Sequence, residues 1–275
     1  MTKILKHIFW TTLFFTFCQL TYAAQVDTLS IQSARMNKKI KTVVVLPDNY
    51  QKSTSLPVLY LLHGWSGSYS NWVTKVPHIK QLVDRYNYIV VCPDGGYDSW
   101  YWDIEGQPNY QYETFVSGEL VSEIDSKYPT CKDRSGRGIT GLSMGGHGAL
   151  SLAFKHQDVY GAAGSTSGGV DILPFANNWS IRERIGTQAQ KPEEWSKRSV
   201  IEMTHLLTPG SLKLFIDCGY GDFFYPVNVR LHEKLQYLNI EHHFLTLPGK
   251  HDWKYWSQSI DYQMAFFNQF FHQEI

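Results

Sequence analysis

The stretch Gly141-Leu142-Ser143-Met144-Gly145 constrains this chain more than any other. It sets a serine between two glycines. A short run at 137–140 before it can supply a buried strand, and a run at 146–155 after it, rich in Ala and Leu, reads as a helix. A strand that reverses into a helix within a residue or two leaves no space for side chains beside the turn, so glycine is required at 141 and 145. The turn lifts the Ser143 hydroxyl clear of the sheet and aims the helix N-terminus, with its partial positive charge, at whatever the hydroxyl attacks.

The rest of the chain fits that turn. Apolar runs at 28–33 and 41–46 read as an opening hairpin, and further strands are predicted at 58–62, 88–92, 138–141, 162–165, 212–217 and 243–247. Helical spacing is found at 114–127, 227–238 and 260–271. Strands alternating with helices predict a mostly parallel sheet covered on both faces. The segment 171–207 breaks the rhythm: it is long, holds no apolar strand and reads as a helical, lid-like insertion within a single domain covering 25–275.

A serine hydroxyl is a weak nucleophile, needing a base to take its proton and a third group to orient that base. In a sheet with this kind of turn the three arrive in the order Ser, acid, His. The strand at 212–217 is followed by Cys218-Gly219-Tyr220-Gly221-Asp222, which places Asp222 on a glycine-bearing loop past the strand end. Asp217, still within the strand, is the rival acid. The last strand runs into Pro248-Gly249-Lys250-His251, so His251 is the expected base. The expected oxyanion donors are the backbone N–H groups of Met144, directly after the serine, and of Trp65, in the loop His63-Gly64-Trp65-Ser66-Gly67. His63 reads as a structural member of that loop, and His147 lies on the helix behind the turn.

Composition excludes some alternatives. The 25 basic and 25 acidic residues cancel, so no basic face for nucleic acid is expected. Lys3 and Lys6, the apolar run at 8–20 and Thr21-Tyr22-Ala23 predict a secretory signal over 1–24. Its apolar run is too short for a comfortable membrane span, so a secreted or periplasmic protein with no stable span after cleavage is expected. Cys92, Cys131 and Cys218 then remain, an odd number whose spacing matches no zinc pattern, and no metal or cofactor is expected.

Leu61-Leu62-His63-Gly64, Pro93-Asp94-Gly95, Gly141 to Ala149, Ile216-Asp217-Cys218-Gly219 with Asp222-Phe223, and His251-Asp252-Trp253 with Tyr255-Trp256 together resemble the esterase D-like esterase family. That family includes S-formylglutathione hydrolases, tributyrin esterases, the feruloyl and acetylxylan esterases of carbohydrate esterase family one, and the antigen 85 mycolyltransferases. The resemblance extends from about residue 27 to 271. It implies an α/β-hydrolase fold, metal-independent hydrolysis of carboxylic esters, and a triad carried here by Ser143, Asp222 and His251. The leader-like N-terminus departs from cytosolic S-formylglutathione hydrolases. A secreted esterase acting on acetyl or feruloyl esters of plant polysaccharides, or on small acyl esters, fits better. An acyltransferase using the same triad and a noncatalytic carbohydrate-binding protein are the alternatives.

Aromatic residues make up 15% of the chain and gather at predicted strand ends, outside which ligands bind in open α/β sheets. Trp100, Trp102, Phe223 and Trp253 are the expected substrate-binding rings, with Trp100 and Trp102 lining an acyl or sugar pocket. Trp179 and Trp195 are candidate lid residues.

Overall fold

The computed structural model describes residues 24–52 and 55–272; the leader expected over 1–24 therefore lies outside the described residues except for Ala24. Eight strands form one sheet: β1 (Gln25–Ser33), β2 (Lys38–Leu46), β3 (Val58–Leu62), β4 (Ile89–Pro93), β5 (Arg137–Gly141), β6 (Ala162–Thr166), β7 (Lys213–Gly219) and β8 (His243–Leu247). Their order is β1-β2-β4-β3-β5-β6-β7-β8. β2 pairs antiparallel with both β1 and β4, and every pair from β4 to β8 is parallel. The helices are α1 (Asn71–Lys75), α2 (Ile79–Tyr86), α3 (Tyr112–Thr114), α4 (Leu120–Lys127), α5 (Met144–Lys155), α6 (Ile181–Ile185), α7 (Pro192–Arg198), α8 (Tyr225–Tyr237) and α9 (Trp253–Phe271).

The period of two along each strand divides the core in two. Val58, Tyr60 and Leu62 of β3 face one apolar layer, with Ile89 and Val91 of β4 and Ala149, Leu152 and Phe154 of α5. Leu59 and Leu61 face the other, with Val90 and Cys92, Leu82 and Val83 of α2, and Ile260, Met264 and Phe267 of α9. Central strands buried on both faces read as unbroken apolar runs, which is why 58–62 and 88–92 stood out in the sequence. β1, at one edge, alternates exposed and covered residues instead.

Three local features depart from the sequence reading. α2 was not foreseen; its Ile79, Leu82 and Val83 form one buried stripe on an otherwise polar turn. α9 starts at Trp253 rather than near 260, because the Asp252 carboxylate accepts the Tyr255 N–H at 3.0 Å and caps the helix. The helical stretch over 112–127 contains a π-helical turn at Phe115–Glu119. The insertion at 171–207 consists of short helices, and two ion pairs and a hydrogen bond tie it down. Arg184 reaches Asp98 at 2.7 Å, Asp171 at the insertion's start pairs with Arg230 at 2.7 Å, and Arg198 donates to the Asp103 carbonyl.

Candidate active site

The turn after β5 is as tight as its glycines require. A Cβ on Gly141 would lie 2.7 Å from the Gly145 carbonyl group and from the Leu62 oxygen, and one on Gly145 would lie 2.5 Å from that same oxygen. Ser143 sits between them with φ +56°, a left-handed conformation that costs a non-glycine residue roughly 1–3 kcal/mol. Its backbone is clamped on both sides: its N–H donates to the Thr166 carbonyl at 3.0 Å, and its carbonyl accepts the His147 and Gly169 N–H groups.

Three loops at the C-terminal ends of β5, β7 and β8 bring the polar groups together. Ser143 Oγ lies 2.9 Å from His251 Nε2, and His251 Nδ1 lies 2.8 Å from Asp222 Oδ2. The second carboxylate oxygen of Asp222 accepts the Phe224 N–H at 2.8 Å. The Asp222 carboxylate is fully buried and His251 is largely so. With Nδ1–H donated to the carboxylate, Nε2 is left free to accept the serine proton, the arrangement a general base requires.

Asp217 does not take part. It stays within β7 and accepts hydrogen bonds from Thr166, Tyr255, Ser259 and Gln263, with no contact to His251.

The loop after β3 lies against the serine. Neither the Trp65 nor the Met144 N–H has a hydrogen-bond acceptor among the described residues, so both donors are uncommitted. His63 pins this loop. Its Nδ1–H donates to the Gly64 carbonyl at 2.8 Å, its Nε2 accepts the Gly95 N–H at 2.7 Å, and its carbonyl accepts the Tyr101 hydroxyl at 3.0 Å. With Nε2 accepting a hydrogen bond the imidazole is neutral, and burial lowers its pKa from the ordinary value. His147 is likewise a fixed neutral ring, donating to the Gly169 carbonyl at 2.9 Å and accepting the Trp102 indole N–H at 2.9 Å; burial brings its pKa down to about 3.

The serine opens into a cleft of about 240 Å³ lined by Trp65, Asn71, Trp179, His251, Trp253 and Trp256, among others. Phe223, 49% exposed, covers the imidazole from outside, with ring centroids 4.3 Å apart, and stacks on Trp179 at 5.5 Å. Trp256 closes the other side of His251 at 4.9 Å.

Trp100 and Trp102 are not in this wall, contrary to the sequence expectation. Both are 1% exposed and stacked on each other in the core. Their indole N–H groups are committed to the Trp179 carbonyl and to His147. Trp179 occupies the cleft in their place, while Trp195 is buried with its indole bonded to the Gly186 carbonyl. Asn71 had no signal in the sequence; Trp256 belongs to the aromatic residues gathered at the predicted strand ends, and it falls three residues after Trp253 on the same face of α9.

Among the described residues no three His, Cys, Asp or Glu side chains form a group able to hold a metal ion, and no helix is long and apolar enough to cross a membrane. Cys92, Cys131 and Cys218 are free thiols.

The model of the family described as "Putative esterase" matches residues 33–267. The chain belongs to this esterase family. The enzyme is similar to an acetyl esterase of Caldicellulosiruptor saccharolyticus, 29% identical over 257 residues covering 82% of this chain and 92% of that protein. It is also similar to a diacylglycerol acyltransferase/mycolyltransferase of Mycobacterium gordonae, 25% identical over 272 residues covering 86% of this chain and 78% of the relative. Among solved structures, a ferulic acid esterase superposes with a TM-score of 0.79 at 27% identity, covering 91% of this chain and 99% of its own. The sheet and helices are thus those of an α/β-hydrolase, and the enzyme is a carboxylic ester hydrolase.

Proposed function

We propose that the enzyme cleaves carboxylic esters through an acyl-enzyme on Ser143. His251 takes the Ser143 proton as the oxygen attacks the ester carbonyl, then returns it to the leaving alcohol. Asp222 holds the imidazole in the tautomer that makes this possible. The Met144 and Trp65 amides receive the negative charge on the carbonyl oxygen, each donor of this kind being worth about 2.7–4 kcal/mol. Water, activated by the same histidine, then releases the acid. The hydrogen-bonded chain from Ser143 to His251 to Asp222, at 2.9 and 2.8 Å, carries this reading.

The aromatic cleft supports an ester with a planar or ring-shaped group. Trp179, Phe223, Trp253 and Trp256 offer ring faces and edges around the serine, suited to an aryl acid such as a feruloyl group or to a sugar alcohol. A feruloyl ester of a polysaccharide offers both rings, and an acetyl ester of one offers the sugar alcohol. The acetyl esterase and ferulic acid esterase relatives are consistent with this choice. Transfer to a sugar alcohol instead of water uses the same triad and is distinguished by product analysis with an added acceptor. Action outside the cytoplasm is supported by the leader-like residues 1–24 alone, and fractionating cells that express the full chain or a chain lacking them tests it.

Ser143→Ala is expected to lower kcat by about 10⁴- to 10⁶-fold while leaving the fold intact. A variant that keeps most of its turnover of p-nitrophenyl acetate removes Ser143 from the mechanism.

A further inference from the structure

Asp217 is the buried acid that the mechanism leaves unused, and its surroundings are unusual. Its side chain is fully buried and carries four neutral donors. Thr166 Oγ1 at 2.6 Å, Ser259 Oγ at 2.7 Å and the Tyr255 hydroxyl at 3.0 Å reach one carboxylate oxygen. Gln263 Nε2 reaches the other at 2.6 Å. The amide oxygen of Gln263 in turn accepts the Thr140 hydroxyl at 2.8 Å. Space is kept for the network by Gly164, where a Cβ would lie 2.6 Å from Thr140 Oγ1 and would also strike Gln263.

These partners lie in β5, β6, β7 and α9, four of the elements that meet at the active site. Thr140 is in β5, three residues before Ser143. Thr166 is in β6, and its carbonyl accepts the Ser143 N–H. Asp217 is in β7, five residues before Asp222, and its own carbonyl accepts the Ser167 N–H. Tyr255, Ser259 and Gln263 are in α9, which begins two residues after His251, and the Tyr255 ring packs on Gly249 in the loop that carries that histidine. No charged partner offsets the buried carboxylate within this network, and burial pushes its pKa above the ordinary carboxylate range against the pull of the four hydrogen bonds. Apolar side chains would fill the same volume at lower cost. What a carboxylate adds is a fixed acceptor with four directed bonds.

We propose that Asp217 is a positioning residue, whose network holds the loops of Ser143, Asp222 and His251 in register with one another. The inference rests on the triad reading given above. The network touches no substrate and acts through backbone placement, and misplacement of reacting groups by about 1 Å can cost on the order of 10²-fold in rate.

The test uses variants that remove one donor while keeping the packing. Tyr255→Phe and Ser259→Ala are expected to lower kcat for p-nitrophenyl acetate by about tenfold with KM within about twofold, with melting temperatures within a few degrees of the parent. The rate at which a fluorophosphonate labels Ser143 is expected to fall in parallel. Asp217→Asn is expected to fall further. The double variant Asp217→Asn/Gln263→Glu, which rebuilds a carboxylate–amide pair with its polarity reversed, is expected to recover about tenfold of that loss. If Asp217→Asn does not fold, the two donor variants carry the test alone. Parent-like kcat and labelling in Tyr255→Phe and Ser259→Ala, whatever their stability, overturns the proposal. Failure of the parent enzyme itself to label at Ser143 instead overturns the triad reading on which it rests.

Discussion

Asp222→Asn tests the orientation of the base with little disturbance to the fold. In the parent, one carboxylate oxygen accepts His251 Nδ1–H at 2.8 Å and the other accepts the Phe224 N–H at 2.8 Å. Asparagine is nearly the same size, and its single oxygen can keep the Phe224 bond. Its amide then points N–H donors at His251 Nδ1. To avoid donor facing donor, the imidazole must move its proton to Nε2, where it meets the Ser143 hydroxyl 2.9 Å away. That nitrogen can no longer accept the serine proton. Loss of the productive tautomer in a triad costs about 10⁴ in kcat, or about 5–6 kcal/mol of barrier. The Met144 and Trp65 amides and the cleft are untouched, so KM for p-nitrophenyl acetate is expected to change by about threefold or less. Stopped-flow and steady-state kinetics between pH 6 and 9, with thermal melts as the control for folding, measure both quantities. A variant with more than a tenth of parental kcat and an unchanged melting temperature refutes the assignment of Asp222.

Three further outcomes follow from the geometry. Trp179→Ala is expected to lower kcat/KM for methyl ferulate by about tenfold and for ethyl acetate by about threefold or less, since it removes a ring face but no catalytic group; equal losses on both esters count against a substrate-binding role. His147→Ala leaves the Trp102 indole N–H and the Gly169 carbonyl without partners in the core and is expected to cost about 3–5 kcal/mol in chemical denaturation, an unchanged midpoint being the contrary result. Glu113 is burdened by burial, but the hydrogen bond from His156 and the charge of Lys155 outweigh that and hold its pKa at about 2 against an ordinary 4.5. Because the folded value is the lower one, its contribution is complete above about pH 5 and is lost as the pH falls toward 2, amounting to about 1–3 kcal/mol. Urea titrations of the parent and of Glu113→Gln are expected to converge over that range, and parallel curves contradict it.

Much of this arrangement could be read from residue order alone because the turn at 141–145 is a steric statement. Glycines at both flanks, a strand before and a helix after fix where Ser143 must stand, and the requirement that its partners follow later strands points to His251 and to Asp222 or Asp217, of which Asp222 and His251 lie on loops that meet Ser143. The buried strands were legible for the same reason: 58–62 and 88–92 are apolar on both faces. The rings were not legible. Trp100 and Trp102 follow a strand end as Trp256 does, while Trp179 lies in the insertion, and which ring faces solvent depends on distant partners. The acceptors at His147 and the Trp179 carbonyl draw Trp102 and Trp100 inward. Trp179 reaches the cleft through a left-handed backbone at φ +49°, a conformation that its sequence neighbours do not announce. Asp217 differs from Asp222 in the sequence by standing within the strand, before Gly219, and nothing in the residue order shows that α9 supplies three donors to it.

Ser143 is the expected nucleophile of turnover, and treating the parent enzyme, Ser143→Ala and His251→Ala with a fluorophosphonate, followed by intact mass and peptide mapping, tests this directly. The expected result is one adduct per chain in the parent, located on the peptide containing Ser143, none in Ser143→Ala, and strongly slowed labelling in His251→Ala. An adduct on another residue, or undiminished labelling of Ser143→Ala, rules Ser143 out as the nucleophile.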